Sequence, residues 1–303
     1  MRRLGILMAA PLLVTMVVSG CGSSDSGGGA GSAIPKGQPM TLSAPLPAAI
    51  KAKGQLEVGV KCDYPPFGFV DAGGKNAGYG IELVHKMASY AFGDPAKVKF
   101  TCVTGSNRTP YLEANKIDLI VASMSYTPDR AKVINFSSPY FNSGVKLLVL
   151  KGSPVKDFPE VKGANVVTIK GTTASIWMSQ CLPTAKQLTF NQTSEALSAL
   201  DQKRGVAFAQ DDTLLVDIAS KNDKYQVTGT SQAASPWGMG TRLDDKQFTA
   251  WVDAALAKMQ QEDFFWKAFT GAVTDKAVRE QFKTFVPRPD NSLKYAQGSV
   301  YKC

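Results

Sequence analysis

The segment VASMSYTPDRAKVINFS, Val121 to Ser137, passes from apolar residues to two spaced hydroxyls and then to a Thr-Pro-Asp-Arg run. Thr127 stands where a helix N-cap belongs, Pro128 suits the first helical position, and Asp129 complements the helix dipole. Arg130 then falls in the first turn, where the dipole favours an anion over a cation. Ser123 and Ser125, two apart at the exit of a strand, are expected to point to one side. Two arrangements satisfy this pattern. Either Arg130 lies on a solvated helix face, or it holds a carboxylate, which would suit both the guanidinium and the free N–H groups of the helix start.

Catalytic groupings are scarce in the chain. His85 is the single histidine and falls inside a helical pattern, so no Ser-His or Cys-His arrangement is implied. Asp211 and Asp212 are neighbours and should point apart, with Asp212 expected to cap the helix that follows. Besides Cys21 there are Cys62, Cys102, Cys181 and Cys303. None forms a CxxC pair, which argues against zinc, and an exported chain meets an oxidising compartment that favours disulfides. Cys62 and Cys102 should follow adjacent parallel strands, so a bridge between them is feasible, and Cys303 could then tie the C-terminal tail to Cys181; four cysteines nevertheless allow three pairings.

The elements that must position these residues alternate in an α/β pattern. Gln55 to Lys61, VKFTCV and IDLIVA suit strands, and Gly80 to Phe92 carries Ile81, Val84, Met87, Ala88 and Ala91 at helical spacing. From about Val145 the alternation restarts, through VVTIKGTT, QLTF and GVAFAQ as strands with helices between them. After Pro236-Trp237-Gly238 a long amphipathic stretch is expected to return to the first unit. The implied organisation is a first lobe of residues 51–144 and 239–303 and a second of residues 145–238. Its two crossings fall near Asn142 to Lys146 and Ala234 to Gly240, with a ligand cleft between the lobes.

The N-terminus has Arg2 and Arg3 before an apolar run of roughly 15 residues, shorter than the ~20 that span a bilayer. Residues 1–20 are therefore expected to be an export signal. Val18-Ser19-Gly20-Cys21 resembles the lipobox of bacterial lipoproteins, which implies a diacylated Cys21. Residues 21–50, opening with GSSDSGGGAGSA, are expected to form a flexible tether. Removing the signal lowers the formal charge from +9 to +7. No dense basic run with interleaved aromatics accompanies it, so nucleic acid is not an expected partner.

Four stretches taken together, LEVGVKCDYPPFGFVDAGGKNAGYGIELV, NRTPYLEANKIDLIVASMSYTPDRAKVINFSSPYF, VVTIKGTTASI and AFAQDD, resemble in order and spacing the amino-acid-binding family of periplasmic solute-binding proteins that serve ABC importers. The resemblance spans about Gln55 to Ala272. It implies the type II periplasmic-binding-protein fold, with two α/β lobes joined by two hinge-connecting strands. It further implies that Arg130 clamps a ligand α-carboxylate while Ser123 and Ser125 contact the backbone portion of the ligand. Thr172 and Thr173 would complete the carboxylate site from the second lobe, and Asp211 would hold the ammonium.

Lys61 and Arg108 match basic positions of glutamate- and aspartate-binding members, and Tyr64 an aromatic over the ligand. Gly105 departs from the polar or aromatic residue of many relatives. The expectation is thus a monomeric, lipid-anchored binding protein at the outer face of the cytoplasmic membrane or in the periplasm. It would have no cofactor and would deliver glutamate or aspartate to an ABC permease. The competing expectations are a sensory module for a membrane signalling partner and a dehydratase of cyclic amino-acid precursors on the same scaffold.

Overall fold

The computed structural model describes residues 34–234, 236–295 and 303. The export signal, Cys21 and the Gly/Ser run to Ala33 lie outside the described residues.

Two five-stranded sheets organise the chain. The first runs in the order Val98–Cys102, Leu56–Val60, Leu119–Val121, Gly240–Arg242, Ile134–Phe136. Its first three strands are parallel, and Gly240–Arg242 lies antiparallel to both of its neighbours. The second runs Lys186–Phe190, Asn165–Ile169, Ala207–Asp211, Val145–Leu150, Tyr225–Gln232, with its first three strands parallel. Alternation along the strands supplies both faces of each sheet. Leu119 and Val121 join one apolar cluster while Ile120 and Ala122 join another; Val166 and Val167 divide likewise in the second sheet. Sheets covered on both faces by helices form two doubly wound lobes, which place loops with chemistry at the carboxyl ends of the parallel strands.

The chain passes from the first sheet to the second after Phe136 and back before Gly240. The two crossings pair with each other through a bridge between Phe141 and Trp237, and Trp237 also bridges Ser125. Trp237, in the second crossing, packs in the first lobe's core among Phe67, Tyr140 and Phe141. An aromatic at this junction holds the crossings against one lobe, so motion between the lobes is confined to few residues.

Three sequence expectations are corrected. The Thr127 cap forms, its Oγ1 accepting from Arg130 N at 3.1 Å, but it opens a single 3-10 turn, Arg130–Lys132, rather than an α-helix. Only a weak dipole opposes the arginine there. The described part of the proposed tether, residues 34–50, packs on the first lobe. Ile34, Leu42, Leu46 and Ile50 meet its core, and Gly37 and Met40 donate N–H bonds to Gly93 and Tyr90 carbonyls. Asp212 does not cap its helix; its carboxylate accepts instead from Ser143 Oγ at 3.0 Å and Gly144 N at 3.2 Å at the root of the first crossing. The small meander of Asp63–Tyr64, Gly68–Val70 and Asn76–Ala77, and the strands Ile134–Phe136, Tyr225–Gln232 and Gly240–Arg242, had no clear sequence pattern because they are short or largely polar.

Both cysteine pairings expected from the sequence are formed. Cys62 bonds to Cys102, on neighbouring parallel strand ends with Cα atoms 5.5 Å apart, and Cys181 to Cys303. The first closes a loop with a sequence separation of 40. Replacing Cys62 and Cys102 together with Ser should lower the unfolding free energy by about 2–4 kcal/mol, read from urea denaturation; an unchanged midpoint would contradict this.

Candidate functional site

The carboxyl ends of the parallel strands from both sheets meet across the cleft. Lys61 follows Leu56–Val60, Gly105 lies just beyond Val98–Cys102, and Ser123 is two residues past Leu119–Val121. On the opposite side Thr172 and Thr173 follow Asn165–Ile169, and Asp211 ends Ala207–Asp211. These groups, with Tyr64, Arg108, Ala122, Ile169 and Gln210, line a polar cavity of about 20 Å³. That space is about the size of one water molecule. A larger solute therefore requires the lobes to part or the lining groups to yield.

Arg108, in the first turn of the short helix Arg108–Glu113, is 5% exposed and donates to the Ala122 carbonyl at 2.8 Å. Burial, and after it the nearby Arg130 guanidinium, push its pKa down to about 9. Asp211, 6% exposed, accepts from Tyr64 Oη at 2.9 Å. Burial raises its carboxyl to about 7, with the Tyr64 bond opposing and Asp212 reinforcing the rise. Tyr64 is itself pushed up by burial and by Asp211, so its hydroxyl remains the donor. Its ring lies edge-on to Phe67 and Trp237, which fixes it against the crossings.

Arg130 spans the cleft. Its Nη1 donates to Ser125 O at 2.8 Å within its own lobe and to Thr173 Oγ1 at 3.2 Å on the other, while Nη2 donates to Gly171 O at 3.0 Å. Thr172 caps the helix Thr173–Cys181, accepting from Ser175 N. The guanidinium and a helix start thus stand together, the helix being the one Thr172 opens in the second lobe.

The two serines part company. Ser123 lines the cavity with its backbone in the left-handed region, φ 48°, and its N–H donates to Tyr140 Oη at 3.1 Å. That turn breaks strand alternation, so Ser125 does not share its side: Ser125 is buried, is not among the cavity-lining residues, and offers Arg130 its carbonyl. Lys61 lines the cavity and pairs with Asp63 Oδ1 at 2.7 Å. Asp63 was missed by sequence reasoning, as were Gln210 and Tyr140. Its second oxygen accepts from Thr193 N at 3.0 Å across the cleft. Burial opposes ionisation of Asp63, but Lys61 and the Thr193 N–H outweigh it and hold the carboxyl below its ordinary range. Its position two residues from Lys61 was the available signal, since alternate residues of an extended segment share a side.

Two doubly wound lobes with paired crossings and a charged cavity between opposing strand ends define a type II bilobal binding protein. The chain belongs to the bacterial extracellular solute-binding proteins, family 3, which it matches over residues 56–268. It is 33% identical to an ABC transporter glutamine-binding protein of Bacillus subtilis, over 86% of this chain and 94% of that one. It is 29% identical to a glutamate/aspartate import solute-binding protein of Salmonella typhimurium, over 77% of this chain and 82% of the relative. Among solved structures, a cysteine-binding protein of Campylobacter jejuni superposes with a TM-score of 0.73 at 34% identity, covering 76% of this chain and 92% of that chain. All three are binding proteins rather than enzymes.

Because the Tyr64 bond favours ionised Asp211, Tyr64→Phe should raise the Asp211 pKa above about 7. Carboxyl carbon chemical shifts followed through a pH titration would show this; a fall in the midpoint would be the contrary result.

Proposed function

We propose that the chain captures an acidic amino acid, glutamate or aspartate, between its lobes and delivers it to an ABC permease. The lobes are taken as residues 51–144 with 239–303 and residues 145–238, and Cys21 is taken as the lipid anchor of a monomeric exported protein. The observation that carries the ligand class is the charge balance of the cleft. Lys61, Arg108 and Arg130 are cationic, against Asp63 and Asp211, which leaves one positive charge in excess. A zwitterionic amino acid with a side-chain carboxylate carries one negative charge and balances it. Relatives named for glutamine, glutamate/aspartate and cysteine do not choose among ligands; the charge balance is what supports the acidic ones.

In this reading the α-carboxylate takes the Arg130 fork from Gly171 O and Thr173 Oγ1 and adds the Thr172 and Thr173 side of the helix start. The ammonium meets Asp211, which it holds ionised. Ser123 faces the ligand backbone and Tyr64 positions Asp211. The side-chain carboxylate meets Arg108, with Lys61 beside it. The Lys61–Asp63 pair supports a second reading, since it already neutralises one cation: glutamine in place of glutamate.

Titration calorimetry with the amino acids tests both. Wild type is expected to bind glutamate or aspartate in preference to glutamine and asparagine. A charge-assisted bond to a buried ligand is worth roughly 1.5–3 kcal/mol, so Arg130→Ala should weaken binding by at least about 30-fold, the factor that about 2 kcal/mol represents. Arg108→Gln should cost acidic ligands more than their amides. An unchanged affinity in Arg130→Ala removes that residue from the site, and a preference for glutamine in wild type selects the second reading.

The pH profile follows from Asp211. Its ionised form binds the ammonium, and a group titrating near 7 loses about tenfold in ionised fraction between pH 8 and pH 6, where ligand carboxylates stay ionised. Affinity should therefore be nearly full above about pH 8 and fall by up to about tenfold on acidification to pH 6. A flat profile over that interval would show that Asp211 does not hold the ammonium.

A further inference from the structure

Gly105 sits where the backbones of the two lobes meet. It follows the strand Val98–Cys102 of the first lobe, whereas Gly171 follows Asn165–Ile169 of the second. A Cβ built on Gly105 would stand 2.7 Å from Lys170 O, 3.2 Å from Gly171 C and 3.3 Å from Gly171 O; these three nearest atoms all belong to the opposite lobe. Conversely, a Cβ on Gly171 would stand 2.6 Å from Gly105 O and 2.7 Å from Gly105 C. The lobes thus meet here backbone against backbone, with no side chain between them. Both glycines adjoin the cavity groups, Gly105 lining the cavity itself and Gly171 accepting from Arg130.

We infer that the Gly105–Gly171 contact is the stop that sets how far the lobes close, the lining side chains yielding around a bound amino acid while this contact stays, and so limits the length of ligand side chain the closed cleft accepts. This rests on the amino-acid reading given above and adds the size selection within it. A carbon needs about 3.5 Å from its neighbours for a normal contact, so a methyl group at Gly105 holds this edge open by roughly 0.8 Å. The two positions differ as probes. Gly171 has φ +75°, so any side chain there strains the backbone, but Gly105 has no positive φ. Alanine at Gly105 therefore leaves its own lobe undisturbed and acts only when the lobes come together. A cleft held slightly open favours the longer of two ligands that differ by one methylene.

The test is the ratio of glutamate to aspartate affinity in wild type and in Gly105→Ala, by titration calorimetry, with circular dichroism confirming that the variant is folded. Gly105→Ser serves as a second, slightly larger probe. One methylene in a fitted pocket is worth at least about tenfold. Gly105→Ala is therefore expected to weaken aspartate by about tenfold or more while shifting the ratio toward glutamate by at least about threefold, and Gly105→Ser to shift it further. An unchanged ratio overturns the inference, whether or not the two affinities fall together. Wild type that binds neither acidic ligand is a different result: it overturns the functional reading, and the size limit with it.

Discussion

Charged groups drawn out of water between two protein surfaces must be paired there, and the cleft is arranged around that requirement. Removing an ion from water costs several kcal/mol unless partners replace the solvent. Arg108 and Asp211 are each nearly fully buried, and their shifted pKa values, down to about 9 and up to about 7, register the cost. The protein offsets it with carbonyls and two hydroxyls: Ala122 O for Arg108, Ser125 O, Gly171 O and Thr173 Oγ1 for Arg130, and Tyr64 Oη for Asp211. These partners are weaker than opposite charges. An anion presented to the guanidinium groups and an ammonium presented to the aspartate would each improve on what the protein supplies, which gives a zwitterion differential affinity for the closed cleft.

Such an arrangement works only if the lobes themselves stay rigid. Each sheet is covered on both faces, and the crossings are pinned by the Phe141–Trp237 bridge and its surrounding rings. Asp212 adds a grip on Ser143 and Gly144 one residue from Asp211. Asp211 and the root of the crossing therefore share one strand end. Tyr64 makes the corresponding link from the first lobe, its hydroxyl on Asp211 and its ring against Trp237. Groups at the cleft therefore also touch the crossings.

Much of this was legible in the sequence because it follows from periodicity and from strand order. The alternation of apolar residues in IDLIVA and VVTIK places both sheets, and restarting the α/β pattern after Val145 implies two lobes. The grouping of Lys61, Arg108, Ser123, Thr172, Thr173 and Asp211 was legible through the family resemblance, and the structure brings these residues together at strand ends and helix starts. What escaped were features set by single dihedrals and long-range packing. The left-handed turn at Ser123 separates it from Ser125. The apolar residues of the Pro-rich connector, spaced too irregularly for a helix or strand signal, draw it onto the first lobe. Asp63 reads as a surface acid until the meander folds it between Lys61 and Thr193.

The division between backbone and side-chain recognition also explains how one scaffold accommodates relatives named for different amino acids. In the proposed reading, the groups facing the invariant part of an amino acid come from strand ends and a helix start, whose positions the sheets dictate. The rest of the wall comes from Lys61, Gly105 and Arg108, just past two strand ends of the first lobe and at the start of a short helix. Changing those residues alters charge and depth without disturbing either sheet. In this chain the wall carries two cations and lacks a side chain at Gly105, so its character is set by electrostatics and by how closely Gly171 approaches, rather than by stacking on a ring.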